Sequence, residues 1–153
     1  MQKTDVTKTS IHGGYSKTSE NKVLFVENER IKKPKILIVE DDKNSKFVLK
    51  EFTIHLSKEI LQVNTGLEAV EMCRQNPDID LVLMDIQLPE LNGYETTRQI
   101  REFNKDVVII AQTAFAQESD KEMAMAAGCN DYISKPFKHV NLTEIIKKYF
   151  ADV

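Results

Sequence analysis

Several side chains that could do chemistry stand directly after apolar stretches of the chain. Asp85 follows the branched, apolar run 79–84, and the acids 40–42 follow a similar run. Thr113 and Lys135 come after two more such stretches. A carboxylate at the exit of a buried strand is costly unless a metal ion, a cation or a reaction compensates it. Aspartate is also a common turn residue, so Asp85 taken alone fits either role.

From Lys35 onward the sequence alternates between strand and helix patterns. Short apolar runs predict strands, and apolar side chains three or four residues apart predict helices. The predicted strands cover 36–39, 59–63, 79–84, 107–111 and 131–134. Strands that alternate with helices indicate an α/β protein with a doubly wound parallel sheet, because parallel neighbours need crossover connections. In such sheets the side chains at the carboxyl ends of the strands meet at one edge.

The helices between these strands are predicted from their apolar positions. Asp42 or Asn44 is expected to cap the first helix, and the fourth helix is predicted over about 119–127, ending at Gly128. The apolar positions expected in the first two helices are Phe47, Val48, Phe52 and Leu56, and then Leu67, Val70 and Cys73.

The side chains at the strand ends suit phosphoryl chemistry. Carboxylates that share a crevice repel each other, and a hard divalent cation removes that repulsion. Oxygen ligands without histidine or cysteine favour Mg²⁺ or Mn²⁺, which keep positions for phosphate oxygens. Lys135 offers a mobile positive charge that can pair with a carboxylate or a phosphate, and Thr113 offers a hydroxyl donor. With Asp85 as the attacking group, the set fits formation of an aspartyl phosphate.

Taken together and in this order, the motifs resemble those of the response-regulator receiver domain, the phosphoacceptor half of two-component signalling. The resemblance covers about 34–150. It rests on the run 36–42, on Met84-Asp85 followed by Pro89 and Gly93 at the family's spacing, on Thr113-Ala114 and on the stretch 131–137. It implies a flavodoxin-like (βα)5 fold with five parallel strands in the order 2-1-3-4-5.

The resemblance also implies a role for each residue of the site. Asp85 would accept the phosphoryl group, and Thr113 and Lys135 would bind its oxygens. Tyr132 would change rotamer with Thr113 when the domain switches, and the Lys135–Pro136 peptide bond would be cis. The implied metal ligands are Glu40, Asp41, Asp85 and the backbone carbonyl of Gln87. For Asp42 both a helix cap and a metal role stay open.

The expected function is that of a signalling switch. The resemblance implies that Asp85 takes a phosphoryl group from a phosphohistidine of a sensor histidine kinase, or of the chain's own upstream kinase domain in a hybrid kinase. A histidine phosphotransfer protein is a further expected partner. The domain would catalyse only its own phosphorylation and dephosphorylation. From its size and its position two residues after Thr113, we also expect Phe115 to shield the phosphoryl group from water. The alternative is an aspartate-nucleophile phosphatase, which usually carries a second aspartate where Gln87 stands.

Composition and charge limit the kinds of protein that this chain can be. The chain has 153 residues, of which 41% are hydrophobic and 29% charged, as in a globular domain. Residues 1–33 carry seven Lys or Arg and four Asp or Glu, so the part 34–153 has a net charge of −6 and is a poor nucleic-acid surface. We expect 1–33 to be a disordered tail or an interdomain linker and 34–153 to be the receiver domain. No run is long enough for a membrane span or a signal peptide, so the expected location is cytoplasmic, without membrane contact.

Overall fold

A computed structural model describes residues 31–114 and 117–151, and residues 33–150 form one compact unit. Within this unit five strands alternate with five helices, as the sequence predicts. The strands are β1 (Lys35–Val39), β2 (Glu59–Val63), β3 (Leu81–Asp85), β4 (Val108–Thr113) and β5 (Asp131–Ser134). The helices are α1 (Lys43–Thr53), α2 (Gly66–Gln75), α3 (Gly93–Phe103), α4 (Glu118–Ala127) and α5 (His139–Phe150). Residues 1–30 of the predicted tail lie outside the described residues, and the domain boundary stays a prediction.

The strands form one parallel sheet in the order β2-β1-β3-β4-β5, so the predicted fold class and strand order are confirmed. β1 and β3 lie inside the sheet and are buried at every position, which explains why both read as continuous apolar runs. β2 is an edge strand, and most of its residues are at least partly exposed. The register pairs Asp85 of β3 with Gln112 of β4.

Two apolar layers cover the two faces of the sheet. One layer receives buried side chains from α2, α3 and α4, including Val70, Ile100 and Ala124. The other receives them from α1 and α5, including Leu49 and Ile146. Alternate residues of each strand enter opposite layers, because successive side chains of a strand point to opposite faces. Both cysteines, at positions 73 and 129, are buried in the first layer as free thiols.

The apolar face predicted for α1 was partly wrong. Phe47 and Val48 are 62% and 42% exposed, and Leu56 lies beyond the end of the helix. The buried positions are Leu49 and Thr53, four residues apart on one face. In α2 the predicted Leu67 is also exposed, whereas Val70 and Cys73 are buried as expected.

The helices next to the sheet edge begin with side-chain caps. Asp42 caps α1 by accepting a hydrogen bond from the backbone N–H of Ser45, and Asn92 caps α3 in the same way. α4 ends at Gly128, whose φ of 113° is in the left-handed region that favours glycine. In the described part of the chain no helix is long and apolar enough to cross a membrane.

Candidate functional site

Three charged side chains from separate strands meet at the carboxyl edge of the sheet. Glu40 follows β1, Asp85 ends β3 and Lys135 follows β5. The Nζ of Lys135 donates a 2.9 Å hydrogen bond to Oε1 of Glu40 and lies 3.5 Å from Oδ1 of Asp85. Glu40 and Asp85 are 1% and 3% exposed, so both carboxylates depend on this lysine for charge compensation.

Asp41 completes an acidic cluster with these two residues. One carboxylate oxygen from each of Glu40, Asp41 and Asp85 lies within 4.8 Å of the others, and Asp41 itself is exposed. The cluster offers carboxylate oxygens and no histidine or sulfur, which is the donor set that Mg²⁺ prefers. Acids this close together, two of them buried, are also stabilised by a cation. These residues therefore fit the divalent ion that the sequence predicts.

The electrostatics of the site perturb its central carboxylate. Burial and the nearby charge of Glu40 raise the pKa of Asp85 to about 6 from its usual value of 3.8, although Lys135 acts in the opposite direction. Burial disfavours the charged form of Lys135, but the hydrogen bond to Glu40 and the charge of Asp85 outweigh it and raise the lysine pKa. Near pH 7 Asp85 is therefore ionised and Lys135 is charged.

Backbone hydrogen bonds hold the loop after β3 against the Asp85 carboxylate. The N–H of Gln87 donates to Oδ1 of Asp85 over 3.1 Å, and the N–H of Gly93 donates to the carbonyl of Ile86 over 2.9 Å. A Cβ at Gly93 would collide with the carbonyl oxygen of Asp85 and approach Cα of Ile86 to 2.7 Å. Only glycine allows α3 to start this close to the site, which gives a physical reason for the spacing between Asp85 and Gly93.

Thr113 and Tyr132, the predicted switch pair, lie on β4 and β5. Thr113 is 2% exposed, and its carbonyl accepts a 2.7 Å hydrogen bond from the N–H of Lys135. Tyr132 pairs in register with Ala111, two residues before Thr113, so the two side chains extend on the same face of the sheet. Tyr132 is partly buried against the layer that covers this face. The peptide bond between Lys135 and Pro136 is cis, as expected.

The remaining predictions for individual residues have different outcomes. Asp42 is exposed and acts as the α1 cap, with a pKa lowered first by the backbone N–H of Ser45. Phe115, expected to shield the site, lies outside the described residues. Sequence reasoning missed Gln112, which is fully buried in β4 beside Asp85. The sequence does contain a signal for it, because Gln112 is a long polar residue that follows the apolar run 107–111 and directly precedes Thr113.

The fold and the site together define a class of α/β proteins with acids and a lysine at the carboxyl edge of a parallel sheet. A model of the response regulator receiver domain family matches residues 36–147, most of the described chain. The chain therefore belongs to the family of response regulator receiver domains, the phosphoacceptor domains of two-component signalling.

Individual relatives cover the same region. The polar-differentiation response regulator DivK of Brucella ovis is 36% identical over 119 residues, which are 76% of this chain and 96% of that protein. The receiver domain of the sensor histidine kinase PA1611 from Pseudomonas aeruginosa is 37% identical with a TM-score of 0.69, over 76% of this chain and 97% of that one. Its crystal structure has a magnesium ion coordinated in the active-site cleft.

A third similar protein was solved with a partner. The receiver domain of the response regulator Ssk1 from Saccharomyces cerevisiae was crystallised with the histidine phosphotransfer protein Ypd1. The similarity has a TM-score of 0.74 and 32% identity, and it covers 79% of this chain and 91% of that one.

Proposed function

We propose that Asp85 is the phosphoacceptor of this receiver domain, and that Thr113 and Lys135 bind the oxygens of the phosphoryl group. The observation that carries this proposal is the buried Asp85 carboxylate, with Lys135 Nζ 3.5 Å from its oxygen and two further acids beside it. A phosphoryl group on Asp85 adds oxygens that need cationic and hydrogen-bonding partners, and the side chains that can supply them are already at this edge.

The reaction is a transfer between a nitrogen and an oxygen. A carboxylate oxygen of Asp85 attacks the phosphorus of a phosphohistidine, an O–P bond forms as the N–P bond breaks, and the electron pair returns to the imidazole nitrogen. Lys135 holds Glu40 in the unphosphorylated state, and its ammonium group is close enough to Asp85 to move to a phosphoryl oxygen. The ammonium group then offsets part of the negative charge on the transferred group.

Glu40, Asp41, Asp85 and the backbone carbonyl of Gln87 are the proposed ligands of Mg²⁺. When bound, the ion supplies positive charge that offsets the repulsion between the acids and the phosphoryl oxygens. The acidic cluster of this chain and the magnesium ion of the PA1611 receiver domain support the assignment.

We propose that phosphorylation changes the surface that β4, α4 and β5 form. Thr113 moves towards the new phosphoryl oxygen, and the space that it leaves becomes available to the ring of Tyr132. The shared face of these two side chains and the partial burial of the tyrosine support this coupling. Phosphorylation then biases a two-state equilibrium by the difference between the contacts of the two states.

The proposed donor is a sensor histidine kinase, or a kinase domain upstream of this segment, and a histidine phosphotransfer protein is the proposed relay partner. The PA1611 domain comes from a sensor histidine kinase, and the Ssk1 domain was crystallised with Ypd1. In this proposal the domain catalyses only its own phosphorylation and dephosphorylation. A cytoplasmic location stays a prediction from the sequence.

Incubation with acetyl phosphate and Mg²⁺, followed by intact-protein mass spectrometry, tests the proposal. We expect one phosphoryl group per chain with Mg²⁺, none when EDTA is present from the start, and none in Asp85→Asn. Asp80→Asn is the matched control, because Asp80 directly precedes β3 at the end away from Asp85, and it should be labelled like the wild type. Release of phosphate over many turnovers without stoichiometric label would instead indicate the phosphatase alternative, and label retained in Asp85→Asn would refute the assignment.

A further inference from the structure

Gln112 carries a buried polar group that the proposed chemistry does not use. The side chain is fully buried, and neither Oε1 nor Nε2 of its carboxamide has a hydrogen-bond partner among the described residues. Buried polar side chains are nearly always hydrogen-bonded, and an unpaired one destabilises the state that contains it. No other side chain in the described ranges has buried polar atoms without a partner.

The position of Gln112 relates it directly to the phosphoacceptor. Gln112 and Asp85 are register partners on neighbouring strands, which lie about 4.8 Å apart in a sheet. Both side chains extend on the face that α1 and α5 cover, because Ile110 and Leu83, two residues earlier in each strand, lie in that layer. A phosphoryl group on Asp85 therefore places its oxygens within the reach of a side chain as long as glutamine.

A cavity connects Gln112 to the phosphoryl-binding lysine. Its volume is about 490 Å³, and its lining includes Gln112, Lys135 and Ser45 together with the apolar side chains of Val48 and Phe137. Lys135 therefore contributes both to this cavity and to the ion pair with Asp85. A buried carboxamide that lines the cavity can bond to whatever Lys135 holds.

We propose that the carboxamide of Gln112 is a phosphoryl-binding group, with Nε2 donating a hydrogen bond to a phosphoryl oxygen on Asp85. This inference rests on the proposed function of Asp85. The carboxamide has no hydrogen-bond partner among the described residues and gains one when the phosphoryl group arrives, so the contact favours the phosphorylated state. Gln112 thereby becomes a third side-chain hydrogen-bond donor to the phosphoryl group, besides Thr113 and Lys135.

The test uses beryllofluoride with Mg²⁺, which forms a phosphoryl-like group on a carboxylate. The side-chain ¹⁵N–¹H₂ signals of Gln112, assigned by their absence from the spectrum of Gln112→Met, should shift and exchange more slowly with solvent when beryllofluoride binds. Gln112→Met keeps the length of the side chain and removes both polar atoms. Its affinity for beryllofluoride should be about 2- to 10-fold weaker than that of the wild type, the usual effect of one hydrogen bond.

Thr53→Val is the matched control. Thr53 is a fully buried polar residue on the same side of the sheet, but its hydroxyl already donates to the carbonyl of Leu49 over 2.8 Å. Its loss should lower stability and leave beryllofluoride affinity unchanged. If Gln112→Met does not fold, Gln112→Leu serves in its place, and the wild-type signals are then assigned against that spectrum.

The outcomes separate this inference from the proposed function. A wild-type protein that does not respond to beryllofluoride overturns both. A normal wild-type response with unmoved Gln112 signals, as expected if cavity water bonds to the carboxamide in both states, overturns the role of Gln112 alone. Equal affinity in Gln112→Met, or an equal loss in Thr53→Val, has the same consequence.

Discussion

Asp85 carries its charge in a place that disfavours it. The carboxylate is 3% exposed and lies beside Glu40, and these two conditions raise its pKa to about 6. In the unfolded chain the pKa of Asp85 has its usual value. Between about pH 4 and pH 6 the folded protein therefore binds more protons than the unfolded one. Stability therefore falls as the pH rises through this window, and the full penalty is present above it.

Asp85→Asn should consequently stabilise the protein at neutral pH. We expect the free energy of unfolding to rise by about 1 to 3 kcal/mol at pH 7.5 and the gain to shrink towards pH 4, measured by urea denaturation at several pH values. Asp131→Asn is the control, and it should lower the free energy of unfolding at pH 7.5 instead of raising it. Burial acts to raise the pKa of Asp131, but hydrogen bonds from Lys148, the backbone of Tyr132 and Tyr149 outweigh it and lower this pKa. A destabilised Asp85→Asn protein would contradict this reading of the site.

At the scale of elements, the two neighbouring acids at the start of α1, Asp41 and Asp42, have different surroundings. Asp42 accepts a hydrogen bond from the backbone N–H of Ser45 and stabilises the helix, whereas Asp41 contributes an oxygen to the acidic cluster. A strand that ends directly before a capped helix therefore brings a structural acid and a candidate metal ligand into adjacent positions.

Substitutions at these two positions should affect different properties, the stability of the fold at Asp42 and Mg²⁺ binding at Asp41. Asp42→Ala removes a cap and should lower the melting temperature by a few degrees while Mg²⁺ affinity stays near that of the wild type. Asp41→Asn should weaken Mg²⁺ binding at least about tenfold and leave the melting temperature in EDTA nearly unchanged. Calorimetry with Mg²⁺ and thermal unfolding in EDTA measure the two effects. Loss of Mg²⁺ binding in Asp42→Ala would give Asp42 the metal role instead.

At the scale of the whole molecule, the two apolar layers and the sheet between them lie within residues 33–150. The interior strands are covered on both faces by helices of this unit. The boundary between a tail or linker and the receiver domain stays a prediction, and a shortened chain can test it.

We predict that a chain beginning at Lys33 folds and reacts like the 153-residue chain. We expect the same thermal midpoint and the same stoichiometry of labelling by acetyl phosphate, compared side by side at equal protein concentration. A lower midpoint in the shortened chain would show that residues 1–32 contribute to the stability of the domain, and the boundary would then have to move.

The sequence by itself determined the order of strands and helices, the parallel sheet and the residues at the strand ends. These features follow from local patterns, namely the spacing of apolar side chains and the glycine, proline and capping residues between them. Glu40, Asp85 and Lys135 could be expected at one edge because parallel strands share their direction.

Only the tertiary structure decided which contacts these residues make. Phe47 is exposed and Leu49 buried because packing between segments selects the inner face of α1. Lys135 lies closer to Glu40, 95 positions away, than to Asp85, and Gln112 is buried beside Asp85 without a partner among the described residues. Burial and pairing depend on segments that are distant in the chain, and a local pattern holds no information about those distances.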